Sequence, residues 1–204
     1  MKILISGFEP IYNLKRTPSG DLVSTFVSNE IKQTDVELQA IILPQIFRQN
    51  AQMLIRATKS FNPEYLIMFG ASERARGLKL EKFALNIEDS AIGDNTKIPV
   101  YNRTIRPNAP PAFVTPVNVA DIQASLQSQS IPSSISYHAG THTCNSLYYE
   151  MLSAYYEGFI KAKPLFVHIP YPSQYAIVDG FDAPQDINVI VGYTQILLSI
   201  LTTL

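Results

Sequence analysis

Three consecutive stretches decide the fold: Lys2-Ile3-Leu4-Ile5-Ser6-Gly7, then Pro18-Ser19-Gly20-Asp21-Leu22-Val23-Ser24-Thr25-Phe26-Val27, then Val36-Glu37-Leu38-Gln39-Ala40-Ile41-Ile42-Leu43-Pro44. The first is a short β-rich run that stops at glycine, as a buried first strand does. The second opens with proline and places Leu22, Val23, Phe26, Val27 and Ile31 at helical spacing, which predicts a helix over 18–31. The third is a strand over 36–43, stopped by proline. A strand–helix–strand unit is the building block of a parallel sheet. The alternation continues with a helix over 45–60, a strand over 65–69 closed by Gly70 and a strand over 78–87. A helix over 119–127, a strand over 134–137, a helix over 144–156 and a strand over 165–169 follow. Residues 91–117 carry Gly93, Asp94-Asn95 and five prolines; a long irregular excursion there suits a functional loop or a subunit contact. The expected fold is α/β: a single-domain α/β/α sandwich over residues 1–204 with a twisted mixed sheet. Ligands in such sheets collect at the carboxyl ends of the strands.

A hydrophobic fraction of 46% and a charged fraction of 16% are globular values. A net charge of −1 gives no electrostatic footprint for nucleic acid or an anionic membrane. One cysteine excludes an internal disulfide framework and fits a reducing compartment. The N-terminal apolar run, Ile3 to Ile5, is too short for a signal peptide, so the expected location is cytoplasmic. Residues 187–204 contain no charge, which raises a transmembrane reading. However, Asn188, Gly192, Gln195, Ser199 and Thr202 recur at helical spacing and form one polar stripe, so an amphipathic helix packed on the core is expected. The uncharged polar face hints at cover by another subunit.

The single cysteine, Cys144, sits in His138-Ala139-Gly140-Thr141-His142-Thr143-Cys144-Asn145, just before a helical pattern. An isolated thiol is most often a small buried core residue. Here small, turn-forming residues precede it, and a helix start offers unpaired N–H groups and a positive partial charge. These favour a thiolate and stabilise an oxyanion. His168 closes a buried strand in Leu165-Phe166-Val167-His168-Ile169-Pro170-Tyr171, where a structural histidine is the commoner outcome. Glu81 has a solvated strand charge as its simplest reading. Together the three supply a nucleophile, a base that titrates near neutrality and a carboxylate to orient it. A metal site built from His138, His142, Cys144 and His168 is a further arrangement, but that spacing is not a common zinc pattern.

Several strings resemble the pyroglutamyl peptidase I family of intracellular cysteine peptidases, almost end to end. They are Ser6-Gly7-Phe8-Glu9-Pro10, Leu80-Glu81-Lys82-Phe83-Ala84-Leu85-Asn86, Asp94-Asn95, Ala139-Gly140-Thr141-His142-Thr143-Cys144-Asn145 and Val167-His168-Ile169-Pro170-Tyr171. The resemblance implies an exopeptidase that removes N-terminal pyroglutamate, with Glu81, Cys144 and His168 as catalytic triad and no metal or cofactor. It implies that Phe8, Ile11, Thr17, Ala71 and His142 line the substrate site. Its partner is a peptide with a blocked N-terminus, and the protein is a homo-oligomer, a dimer or tetramer. The chain departs from the family pattern at Ile11-Tyr12-Asn13, where Phe-Gly-Gly is usual, and at Thr17, where asparagine is usual. It departs again at Ala91, for an arginine, and at His142, for an aromatic. These departures imply weakened or altered specificity; a catalytically impaired relative with a binding or regulatory role is the alternative.

Overall fold

The computed structural model describes residues 1–28, 36–172 and 186–203. Strand β1 (Lys2–Phe8) is followed by helix α1 (Pro18–Ser28), strand β2 (Glu37–Leu43), helix α2 (Gln49–Phe61) and strand β3 (Tyr65–Ser72). Next come β4 (Leu78–Glu81), β5 (Phe83–Leu85), β6 (Glu88–Ser90), β7 (Val100–Arg103) and β8 (Ala112–Val114). The chain then runs through α3 (Val119–Ser128), β9 (Ser133–Ser136), α4 (Thr143–Tyr156), β10 (Lys163–Pro170) and α5 (Ile187–Leu201). The end of the first helix predicted from the sequence, residues 29–31, lies outside the described residues.

Six strands form the central sheet in the order β2-β1-β3-β10-β4-β9. Every neighbouring pair is parallel except β4 with β10, so the sheet is mixed. Alternation along each strand divides the core into two layers. Ile3, Ile5, Ile67, Phe69, Leu165 and Val167 meet residues of α1, α3 and α5 on one face. Leu4, Leu66, Met68 and Phe166 meet residues of α2 and α4 on the other. The architecture is an α/β/α sandwich with a mixed sheet. Helix α5 buries Ile190, Val191, Leu197, Leu198, Ile200 and Leu201 against the first layer, with Asn188, Ser199 and Thr202 outside. No helix among the described residues is long and apolar enough to cross a membrane.

Three sequence expectations differ in detail. The strand expected over 78–87 is broken at Lys82, whose N–H donates to Ser136 O and whose carbonyl accepts from Thr115 N. The peptide there leaves β10, and β5 pairs with β8 instead. Helix α2 starts at Gln49 rather than residue 45 because the intervening turn is tied elsewhere. Phe47 N–H donates to Asp94 Oδ2 at 2.7 Å, Gln45 N–H donates to Glu9 Oε1 at 3.3 Å, and Arg48 takes φ +65°. The 91–117 excursion is not wholly irregular: it contributes β7, which pairs with β6, and β8.

Near the end of β1, an added Cβ on Gly7 would collide with the Ser19 carbonyl in the first turn of α1. Gly192, inside α5, has no atom within 4 Å of its Cβ position. Gly7→Ala is therefore expected to destabilise by about 1–3 kcal/mol through overpacking, and Gly192→Ala to stabilise by about 0.5–1 kcal/mol through helix propensity. Urea unfolding midpoints that move in the same direction for both variants would contradict this packing.

Candidate active site

The chain proceeds from β1 to β2 on one side and then crosses to β3 on the other, so the order reverses between β1 and β3. The crevice at the carboxyl ends of strands beside such a reversal is where α/β sheets bind ligands. The N-terminal end of α4 sits over it.

Helix α4 begins because Gly140, at φ +82°, turns the chain and His142 takes extended backbone as the N-cap, with no side-chain capping bond. Cys144 is the second helical residue, so the amides around it point out of the helix without intrahelical partners. Its sulfur is lodged against β3: a Cβ on Gly70 would lie 3.0 Å from Cys144 Sγ and 2.9 Å from Phe166 Cε1. Gly70 pairs in register with His168 on β10. The imidazole and the space above Gly70 therefore share one face of the sheet, roughly one strand spacing of 4.8 Å apart.

His168 Nδ1 lies 2.8 Å from Glu81 Oε1. A carboxylate only accepts, so Nδ1 is the donor in this bond. Glu81 arrives on β4, which runs antiparallel to β10 with Phe166 opposite Glu81 and Lys79 opposite His168. The carboxylate is fully buried. Lys79 Nζ is 3.8 Å from its Oε1, while Oε2 has no hydrogen-bond partner among the described residues. The Tyr148 phenol donates to Glu81 O at 2.9 Å and holds the strand end, and the Phe166 ring lies 4.9 Å from the imidazole.

The thiol's electrostatics differ from the expectation. Cys144 as a residue is half-buried, but its sulfur is enclosed by Gly70 and Phe166. Burial, and then the Glu81 charge, push the thiol up to about 12, and the helix-start amide pulls only weakly the other way. Desolvation outweighs the helix terminus. Burial and the Glu81 charge both favour the neutral thiol over the thiolate.

The remaining residues singled out in the sequence are placed as follows. Phe8, buried at the end of β1, has its ring centroid 6.5 Å from that of Phe166. Phe8 and Thr17 share a cavity of about 160 Å³ that also touches Glu9, Pro10 and Gly20. Thr17 is buried, and its carbonyl accepts the Asp21 N–H at the start of α1. Ile11 is half-buried in the loop after β1, and Ala71 pairs with Ile169 next to the Gly70–His168 pair. The His142 ring is committed to the loop after β6: Nε2 lies 2.6 Å from Gly93 O, Nδ1 lies 3.0 Å from Thr143 Oγ1, and the ring edge meets Phe47. Ala91 is exposed. His138 Nδ1 accepts the Gly140 N–H. Among the described residues no group of three or more His, Cys, Asp or Glu side chains is disposed to hold a metal ion.

Sequence reading missed three contributors. Gly70 signals itself only by lacking a side chain. Asn145 Oδ1 accepts from Leu85 N at 2.8 Å, and its Nδ2 donates to Leu85 O and Ile87 O at 2.9 Å, stitching α4 to the segment after Glu81. Glu88, fully buried, accepts from Ser146 Oγ at 2.5 Å and pairs with Arg103 Nε at 2.7 Å. A buried asparagine beside the cysteine was the available signal for Asn145.

The crystal structure of pyrrolidone carboxyl peptidase from the thermophilic keratin-degrading bacterium Fervidobacterium islandicum superposes with a TM-score of 0.91 at 26% identity, covering 100% of this chain and 99% of that one. The pyroglutamyl peptidase I of Bacillus amyloliquefaciens shares the fold, with a TM-score of 0.87 at 24% identity over 96% and 94% of the two chains. The pyrrolidone-carboxylate peptidase of Brachyspira hyodysenteriae is 30% identical over 184 residues, 90% of each chain. With this fold and these relatives, the molecule is a cysteine peptidase of the omega-peptidase class. The family model described as pyroglutamyl peptidase matches residues 1–192, and the chain belongs to that family.

Because the thiol is held up to about 12 by burial and by Glu81, alkylation of Cys144 by iodoacetamide should accelerate steadily with pH and show no plateau near neutrality. Glu81→Gln removes a negative charge facing the sulfur, so its labelling midpoint should move down. A wild-type plateau below pH 7 would mean that the helix terminus wins instead.

Proposed function

We propose that this chain hydrolyses the amide bond that follows an N-terminal pyroglutamyl residue, with Cys144 as nucleophile, His168 as general base and acid, and Glu81 as the group that orients the imidazole. The observation that supports this most is the buried 2.8 Å His168–Glu81 hydrogen bond one strand from the Cys144 sulfur, in a chain of the pyroglutamyl peptidase family.

The chemistry follows from a neutral resting thiol. His168 Nε2 takes the thiol proton as Sγ attacks the carbonyl carbon, and Glu81 stabilises the imidazolium that forms. The oxyanion accepts hydrogen bonds from the open amides at the start of α4, each typically worth about 3 kcal/mol in the transition state. The imidazolium then protonates the departing amine, the C–N bond breaks and a thioester remains. Water, deprotonated by His168, attacks the thioester and restores the thiol. Electrons and protons balance without a cofactor.

Phe8, Ile11, Thr17, Ala71 and His142 frame the site for the blocked N-terminal residue, with Phe8 as its apolar wall. With His142 turned to Gly93 and no charge at Ala91, we infer weaker selectivity for the lactam ring than a pocket with an aromatic and an arginine at these positions. The same reading takes residues 1–204 as one domain, working as a homo-oligomer in the reducing cytoplasm, where its single thiol stays reduced.

The test is hydrolysis of pyroglutamyl arylamide beside other N-blocked and free aminoacyl arylamides. The pyroglutamyl compound should be preferred, Cys144→Ala should abolish turnover, and Glu81→Gln should lower kcat by roughly 10²–10⁴-fold. Full activity in Cys144→Ala, or preference for a free N-terminus, would overturn the proposal. Light scattering should give more than one chain per particle.

A further inference from the structure

Three donors converge on one carbonyl oxygen beside the site. Gly93 O lies 2.6 Å from His142 Nε2, 3.1 Å from the Tyr12 phenol and 3.3 Å from Ser90 Oγ. The phenol proton is shared with Ile92 O at 2.5 Å. A carbonyl only accepts, so His142 Nε2 carries a proton and the ring is locked in place as a donor.

Tyr12 occupies the left-handed region at φ +52°, which a bulky side chain rarely adopts. Such a residue persists only where its surroundings over-determine it, and these outliers gather at ligand clamps. Here the Tyr12 N–H donates to Asn95 Oδ1 at 2.8 Å, and Asn95 Nδ2 donates to Glu9 Oε1 and Pro10 O, each at 3.1 Å. Residues 9–12 and 92–95 are therefore tied together through Tyr12 and Asn95. Gly93 cannot gain a side chain, because its Cβ would collide with the backbone of Ile98. A second tie runs from the same loop toward α4: Asp89 N–H donates to Thr141 O at 2.9 Å, and Thr141 Oγ1 donates to Asp89 O at 2.8 Å.

One end of this web carries Phe8 and Ile11. The other ends at His142, the N-cap of the helix that holds Cys144. We propose that Tyr12 and His142 are positioning residues that grip the Ile92–Gly93 carbonyls and so fix the spacing between the β1 exit and the start of α4, selecting a compact, ring-closed N-terminal residue. The substrate part rests on the peptidase reading above; the clasp itself does not.

The experiment uses Tyr12→Phe and His142→Leu, each of which removes a donor, their double variant, and His142→Gln, which restores a donor at the Nε2 position. On pyroglutamyl arylamide, each single variant should raise KM roughly tenfold with kcat within about twofold. The double variant should be little worse than either single, because both act on the same two-residue turn, Ile92–Gly93, and His142→Gln should recover most of the loss. Hydrogen exchange on the free proteins should quicken at the amides of residues 92–96 in both single variants. Unchanged KM together with unchanged exchange overturns the proposal, as does a fall in kcat at constant KM. If the wild type does not cleave the arylamide, the exchange arm decides alone: faster exchange upholds the clasp and refutes only the peptidase reading, and unchanged exchange refutes the clasp.

Discussion

The site depends on a methyl group that is missing. At Gly70, β3 presents bare backbone, and into that space come the Cys144 sulfur from α4 and the Phe166 ring from β10. Protein interiors are packed to crystal density, so a Cβ there would push on both at once. The pairing of Gly70 with His168 then puts the imidazole on the same face of the sheet, one strand away. Two strands and a helix thus meet at one point, and each reaches it for its own packing reasons: β3 and β10 through their parallel ladder, and α4 through the core residues Leu147, Tyr148, Met151 and Leu152.

Burial at that point has electrostatic consequences. It raises the thiol to about 12 and leaves Glu81 fully enclosed, with one oxygen bonded to His168 and the other without a hydrogen-bond partner among the described residues. A buried carboxylate with spare accepting capacity beside an imidazole gains most when the imidazole becomes cationic. On the proposed mechanism, the arrangement favours the state in which a proton has moved from sulfur to His168 as the sulfur attacks. Stabilisation is held for the transition state rather than given to the resting enzyme.

Much of this was legible in the chain. Apolar runs ending in glycine or proline marked β1, β2 and β3, and the helical spacing in between implied parallel crossovers. Cys144, His168 and Glu81 each had an ordinary reading alone and stood out only together and through the family resemblance. What stayed hidden were effects of distant partners. The break at Lys82 depends on Thr115 and Ser136, and the late start of α2 depends on Glu9 and Asp94. The short strands β6 and β7 are braced by Glu88 and Arg103, which are far apart in sequence. In the sequence Gly70 reads only as a strand stop, whereas β3 runs through it to Ser72, and its importance lies in what α4 and β10 later place above it. The helix start at Cys144 was visible, but the enclosure that reverses its effect on the thiol was not.

The most direct measurement is the acylation rate of Gly70→Ala with pyroglutamyl arylamide in a single-turnover experiment, on protein whose cooperative unfolding transition is retained. A displacement of about 1 Å at the reacting atoms typically costs about 10²-fold, so the account predicts a slowing of that order in the acylation step. Acylation at the wild-type rate would show that sulfur and imidazole do not depend on the space above Gly70, and the account would be wrong at its centre.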